Sequence, residues 1–215
     1  NSNTYNISGN TLDGLKRPLG VTSGTNAGII VTLSNTGTIS NNSLLNIENF
    51  STNNTCVAIQ ATGNNLIINN NIIDNINTNS GNNGNTGIFC DGTANTIHSN
   101  KISNVQASND KLINGIYING DNALVYNNFV ANVSSLGGGG PVNQGGYGIY
   151  VNGGNVVKLY YNSVRLQITQ SSVTIPSTSA ALFINGGTQL TIVNNIFINA
   201  QSPGASRFAV YSNVT

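Results

Sequence analysis

The sequence predicts an all-β fold, a right-handed parallel β-helix of about seven coils with three short strands per coil. Three observations predict it. A short asparagine-centred pattern recurs about every thirty residues, a second apolar motif recurs at the same period, and no stretch has the composition of a helix.

The first pattern reads apolar, variable, variable, Asn, variable, apolar. It runs from Ile7 to Leu12, Ile39 to Leu44, Ile67 to Ile72, Ile97 to Ile102, Val125 to Val130, Leu159 to Val164 and Ile192 to Phe197. Its anchors are Asn10, Asn42, Asn70, Asn100, Asn128, Asn162 and Asn195, spaced 32, 28, 30, 28, 34 and 33 residues apart. Two buried columns are expected from it. One holds Ile39, Ile67, Ile97, Val125, Leu159 and Ile192; the other holds Leu44, Ile72, Ile102, Val130, Val164 and Phe197.

The second motif lies upstream of most anchors: Gly87-Ile88-Phe89-Cys90, Gly115-Ile116-Tyr117-Ile118, Gly148-Ile149-Tyr150-Val151 and Ala181-Leu182-Phe183-Ile184. Weaker copies are Gly28-Ile29-Ile30-Val31, Cys56-Val57-Ala58-Ile59 and Ala209-Val210-Tyr211-Ser212, which puts Cys56 at the outward Gly position. A third apolar position lies about five residues past five of the anchors, at Leu15, Ile47, Val105, Val133 and Ala200.

Alternation over a few residues is strand spacing, and Gly and Asn fill the breaks where positive φ is needed. Short strands at one period, without crossover helices, stack coil on coil, and parallel connections take the right-handed sense. Equivalent residues in successive coils lie about 4.8 Å apart, so the seven anchors span a rod of roughly 30 Å. At that spacing the anchor amides form a hydrogen-bonded ladder that satisfies the backbone of a buried bend. Surplus residues collect at 77–86, 106–114, 134–147 and 167–180, all after the third strand, and the glycine run at 135–141 is expected to be the most mobile.

Composition narrows the function classes. Asn fills 42 of 215 positions, charged residues make up 6%, and the net charge is +1. Seven scattered basic residues form no stripe, which argues against nucleic acid, and no apolar run reaches the ~20 residues of a membrane span. The regular apolar positions argue against disorder. One β-helix domain is expected over 1–215, as a segment of a longer chain. Flanking domains or neighbouring subunits are expected to cover the open coils at 4–12 and 208–214.

The acids are Asp13, Glu48, Asp74, Asp91, Asp110 and Asp121, with no adjacent pair. Cleavage of a polysaccharide needs carboxylates paired across the bond, or calcium with a base. Asp91 and Asp121, in equivalent turns of neighbouring coils, are the nearest approach to a weak calcium or acid pair, and solvated turn residues are the favoured reading. No catalytic residue, metal site or cofactor is assigned. His98 is expected on the outer surface, and Cys90 as a small buried hydrophobe. Phe89, Tyr117, Tyr150, Phe183 and Tyr211 share one register in five successive coils and are expected to form a continuous outward aromatic ladder. Such a ladder stiffens its sheet, or offers rings to a sugar or a partner surface.

The Gly148-Ile149-Tyr150-Val151, Tyr160-Tyr161-Asn162-Ser163-Val164 and Asn194-Asn195-Ile196-Phe197-Ile198-Asn199 motifs resemble the parallel β-helix repeats of large secreted proteins of Bacteroidetes-type bacteria. The resemblance spans essentially the whole chain. It implies a stalk or surface domain exported to the cell surface or beyond. The expected function is therefore a non-catalytic extracellular structural or adhesive segment, with glycans as a possible ligand class. The alternative is a polysaccharide-binding or polysaccharide-cleaving β-helix.

Overall fold

The structure, a computed structural model, describes residues 4–18, 24–32, 36–50, 55–78, 84–108, 111–135, 145–169, 178–202 and 206–214. The predicted strands form three parallel sheets, each visited once per coil. Sheet A stacks Tyr5–Ser8, Gly37–Ser40, Leu66–Asn69, Thr96–His98, Leu124–Tyr126, Lys158–Tyr160 and Thr191–Val193. Sheet B stacks Thr11–Asp13, Ser43–Asn49, Ile72–Thr78, Lys101–Ala107, Phe129–Ser135, Ser163–Leu166 and Ile196–Asn199, with Lys16–Arg17 as an additional short strand. Sheet C stacks Asn26–Thr32, Cys56–Thr62, Asn85–Asp91, Asn114–Ile118, Tyr147–Val151, Thr178–Ile184 and Ser206–Ser212. Each sheet is thus seven coils deep, and about six turns carry the chain from the first coil to the last. The described residues contain no helix, and hence none long and apolar enough to cross a membrane.

Sheets A and B meet at a two-residue bend. Its first residue takes positive φ: Gly9, Asn41, Asn70, Ser99, Asn127, Tyr161 and Asn194. The second is the ladder asparagine, whose side chain spans three coils. Asn100, for example, donates from Nδ2 to Asn128 Oδ1 at 3.0 Å and to the Ile68 carbonyl at 2.8 Å, and accepts from Asn71 N at 3.0 Å and Nδ2 at 2.9 Å. The same contacts join Asn10, Asn42, Asn71, Asn100, Asn128, Asn162 and Asn195 into one continuous column.

One rung differs from the sequence expectation. In the third coil it is Asn71, not Asn70, that enters the ladder, while Asn70 is the exposed positive-φ residue of the bend. The whole coil shifts with it. Ile97 pairs with Ile68 and Ile102 with Ile73, so Ile68 and Ile73 fill the buried columns, whereas Ile67 and Ile72 face outward at 41% and 48% exposure. Ile39, Ile97, Val125 and Leu159 form the first column as expected, and Leu44, Ile102, Val130 and Val164 the second. In the last coil Ile192 keeps its register against Leu159 but is exposed, and Phe197 is partly buried against the core.

Sheet C also corrects the expected placement of Cys56. Cys56 pairs with Asn26 and Asn85, and Ala58 takes the Gly position beside Gly28. That position faces the interior. A Cβ on Gly87 would lie 2.6 Å from the Gly115 carbonyl oxygen and 2.8 Å from Ile102 Cγ2. Gly87→Ala is therefore expected to destabilise by about 1–3 kcal/mol through overpacking. Gly153→Ala, whose Cβ would meet only Asn119 Oδ1 at 3.6 Å, should stay within about 0.5 kcal/mol when both variants are compared by urea titration. Cys56 and Cys90 are both free and buried, and burial pushes each thiol up to about 12. The surplus stretches are described only in part, and residues 136–141 of the glycine run lie outside the described residues, as does Asp110.

Candidate functional site

The outer face of sheet C carries the aromatic column. Ile88, Cys90, Ile116, Ile118, Ile149 and Val151 belong to the core, so the ring between each pair points away from it. Pairing sets Phe89 beside Tyr117, Tyr117 beside Tyr150, Tyr150 beside Phe183, and Phe183 beside Tyr211. The centroid separations are 5.1, 5.1, 4.9 and 5.2 Å, with interplanar angles of 11°, 27°, 33° and 13°. The five rings form the continuous outward ladder expected, and its geometry favours mutual stacking. At one coil per ring, each inner ring gives both faces to its neighbours.

A second row closes over the middle of the ladder. Tyr147 lies 5.5 Å from Tyr150 and 4.5 Å from Phe183, and Phe208 lies 4.8 Å from Tyr211. Tyr150 and Phe183 are consequently buried, at 7% and 3% exposure, although they point outward. Burial, with Tyr117 adding, pushes the Tyr150 phenol up to about 12, and burial also raises those of Tyr147 and Tyr117. The second row was not foreseen. Its signal in the sequence was Tyr147, an aromatic three residues before Tyr150, and Phe208, three before Tyr211.

At the Phe89 end the face opens into a cleft of about 350 Å³. Thr25, Thr55, Gln60, Thr86, Asn114 and Tyr117 supply its polar rim, and Val57, Leu112 and Phe89 its apolar floor.

The described acids occur as rungs between coils. Asp91 Oδ1 accepts from Asn119 Nδ2 at 3.3 Å and continues through Asn152, Asn185 and Asn213 as a ladder at the end of sheet C. Asp121 Oδ1 accepts from Asn155 N at 2.7 Å, in a different column. Asp91 and Asp121 are thus held by separate partners. Asp13 accepts from Asn46, and Asp74 from Ser103 and Asn104. Asn46, Asn75, Asn104 and Asn132 take positive φ within sheet B and stand in a further column, where Asn75 donates to Asn46 and Asn132 to Asn104. Sequence reasoning missed this column, although each member follows its true anchor by four residues. Among the described residues no group of three His, Cys, Asp or Glu side chains is placed to hold a metal ion.

His98 faces outward on sheet A, as expected. It stacks on Tyr126 at 4.7 Å and 6°, its Nδ1 lies 3.2 Å from Ser99 Oγ, and burial lowers its pKa. No family model, curated protein or solved structure matches the chain.

Proposed function

We propose that this solenoid is a non-catalytic structural and adhesive segment of a secreted or cell-surface protein. The observation that carries this reading is the use made of its acids. Asp13, Asp74, Asp91 and Asp121 each accept a hydrogen bond from an adjacent coil, and Glu48 pairs with Lys16 at 3.0 Å. Groups that would do chemistry in a hydrolase or lyase join coils here. The low charge and high Asn content, together with the resemblance to secreted β-helix repeats, support an extracellular setting. Ile192 and Val210, in register with buried Leu159 and Leu182 but exposed on the last coil, fit a further stacked coil, from a flanking segment or a second subunit.

The test is cleavage. Pectin, alginate and neutral polysaccharides incubated with the protein are expected to show no new ends. Asp91→Ala and Asp121→Ala should each lower stability by about 1 kcal/mol and change nothing else. Cleavage that disappears in either variant would replace this reading with a catalytic one.

A further inference from the structure

The aromatic ladder stops at Phe89. In the coil before it the same register holds Gln60, and in the one before that Ile30. Tyr117 covers one face of Phe89, and no other described ring covers the second. The inner rings have no such face to offer. Beside Phe89 lies the cleft of about 350 Å³, near the lower end of the roughly 300–1,000 Å³ range of ligand pockets.

Asn114 supplies a second, independent observation. It is 2% exposed and lines the cleft, and its Nδ2 donates to Thr86 Oγ1 at 3.4 Å. Its Oδ1 has no hydrogen-bond partner. A buried acceptor without a partner needs an explanation; this oxygen is closed to solvent, so a ligand would reach it only after the Asn114 amide turns toward the cleft. The remaining polar groups of the rim are hydroxyls and an amide, and among the described residues no lining residue is an acid or a base.

We infer that the cleft binds a neutral carbohydrate. A sugar ring has an apolar C–H face, which suits the free face of Phe89. Its rim of hydroxyls exchanges hydrogen bonds with Thr25, Thr55, Gln60 and Thr86, and donates to Asn114 Oδ1 once that amide has turned toward the cleft. A charged ligand would find no counter-charge among the described lining residues, and a purely apolar one would leave the hydroxyls and the Gln60 amide of the lining unpaired. The volume suits one or two sugar units rather than a long chain. This assignment rests on the reading of the solenoid as a non-catalytic surface and names the ligand class it takes.

Calorimetric titration with neutral gluco-, manno- and xylo-oligosaccharides, and with uronate oligomers, tests it. At least one neutral series is expected to bind saturably, and the uronates not at all. Gln60→Phe extends the ladder by one ring and covers the open face of Phe89. It should raise the melting temperature and weaken binding at least tenfold. Asn114→Leu should weaken binding similarly, and Thr86→Ala serves in its place should that variant fail to fold. Absence of saturable neutral-sugar binding would overturn the inference, as would a preference for uronates or binding that a folded Gln60→Phe leaves unchanged. Cleavage of a bound sugar would refute the non-catalytic reading while leaving the cleft in place. Absence of both binding and cleavage would remove the cleft and leave the structural reading standing.

Discussion

Asn71→Ala is expected to lower the unfolding free energy by roughly 3–5 kcal/mol, whereas Asn70→Ala, one residue earlier, should cost only about 1 kcal/mol. The Asn71 side chain accepts from Asn42 N and Asn42 Nδ2, each at 3.0 Å, and donates to the Ile39 carbonyl and to Asn100 Oδ1, each at 2.9 Å. These four bonds are buried, and removing the amide breaks all of them. A buried group left unsatisfied costs about 1–3 kcal/mol, so the losses together outweigh any relaxation of the bend. Asn70 is exposed and contributes its tolerance of positive φ, which Ala lacks. Urea denaturation of both variants separates the two residues. Accelerated exchange of the Asn42 amide hydrogen in Asn71→Ala would locate the lesion. Equal losses at the two positions would mean that the register of the third coil is misplaced.

Tyr150→Ala should cost about 3–5 kcal/mol, the range for truncating a buried aromatic. Its ring contacts Tyr117, Tyr147 and Phe183, so one deletion opens the ladder and the row above it together. Tyr150→Phe keeps the stack and loses the hydroxyl donated to Asn152 Oδ1 at 3.2 Å, which is worth about 1 kcal/mol or less. The two variants also differ at alkaline pH. The phenol ionises near 10 when unfolded and near 12 when folded. The folded state thus favours the neutral form, and that stabilisation is complete below pH 10 and lost as pH rises from 10 to 12. Tyr150→Phe should lose less stability than the parent over that window. A Tyr150→Ala variant with unchanged melting temperature would show that the ladder contributes little to cohesion.

The architecture was legible because it depends on period and alternation, and both survive substitution. The third coil shows where legibility ends. Leu66-Ile67-Ile68-Asn69-Asn70-Asn71-Ile72-Ile73 offers an apolar residue at both candidate positions and an asparagine at both candidate anchors. Strand period alone cannot choose between them, because a shift of one residue exchanges the two faces of the sheet. Stacking chooses: Asn71 lies 29 residues from both Asn42 and Asn100 and bonds to both. Cys56 was misplaced for a similar reason, as a small residue resembling the glycine that Ala58 in fact replaces. The aromatic column was legible as a column. Its burial was not, because that depends on Tyr147 and on neighbours remote in sequence. The cleft was invisible in one dimension, since Thr25, Thr55, Thr86 and Asn114 come from four different coils.

The asparagine column has a thermodynamic consequence. Each rung touches only the coil before it and the coil after it, so the free energy of the rod decomposes into a term for each coil and a coupling for each junction, as in a one-dimensional Ising chain. Cooperativity then has a finite correlation length. Weakening one junction, for example that between the coils of Asn71 and Asn100, would divide the rod into blocks that melt at separate temperatures. A spliced-in coil with an asparagine at its anchor adds one coupling and leaves the others unchanged.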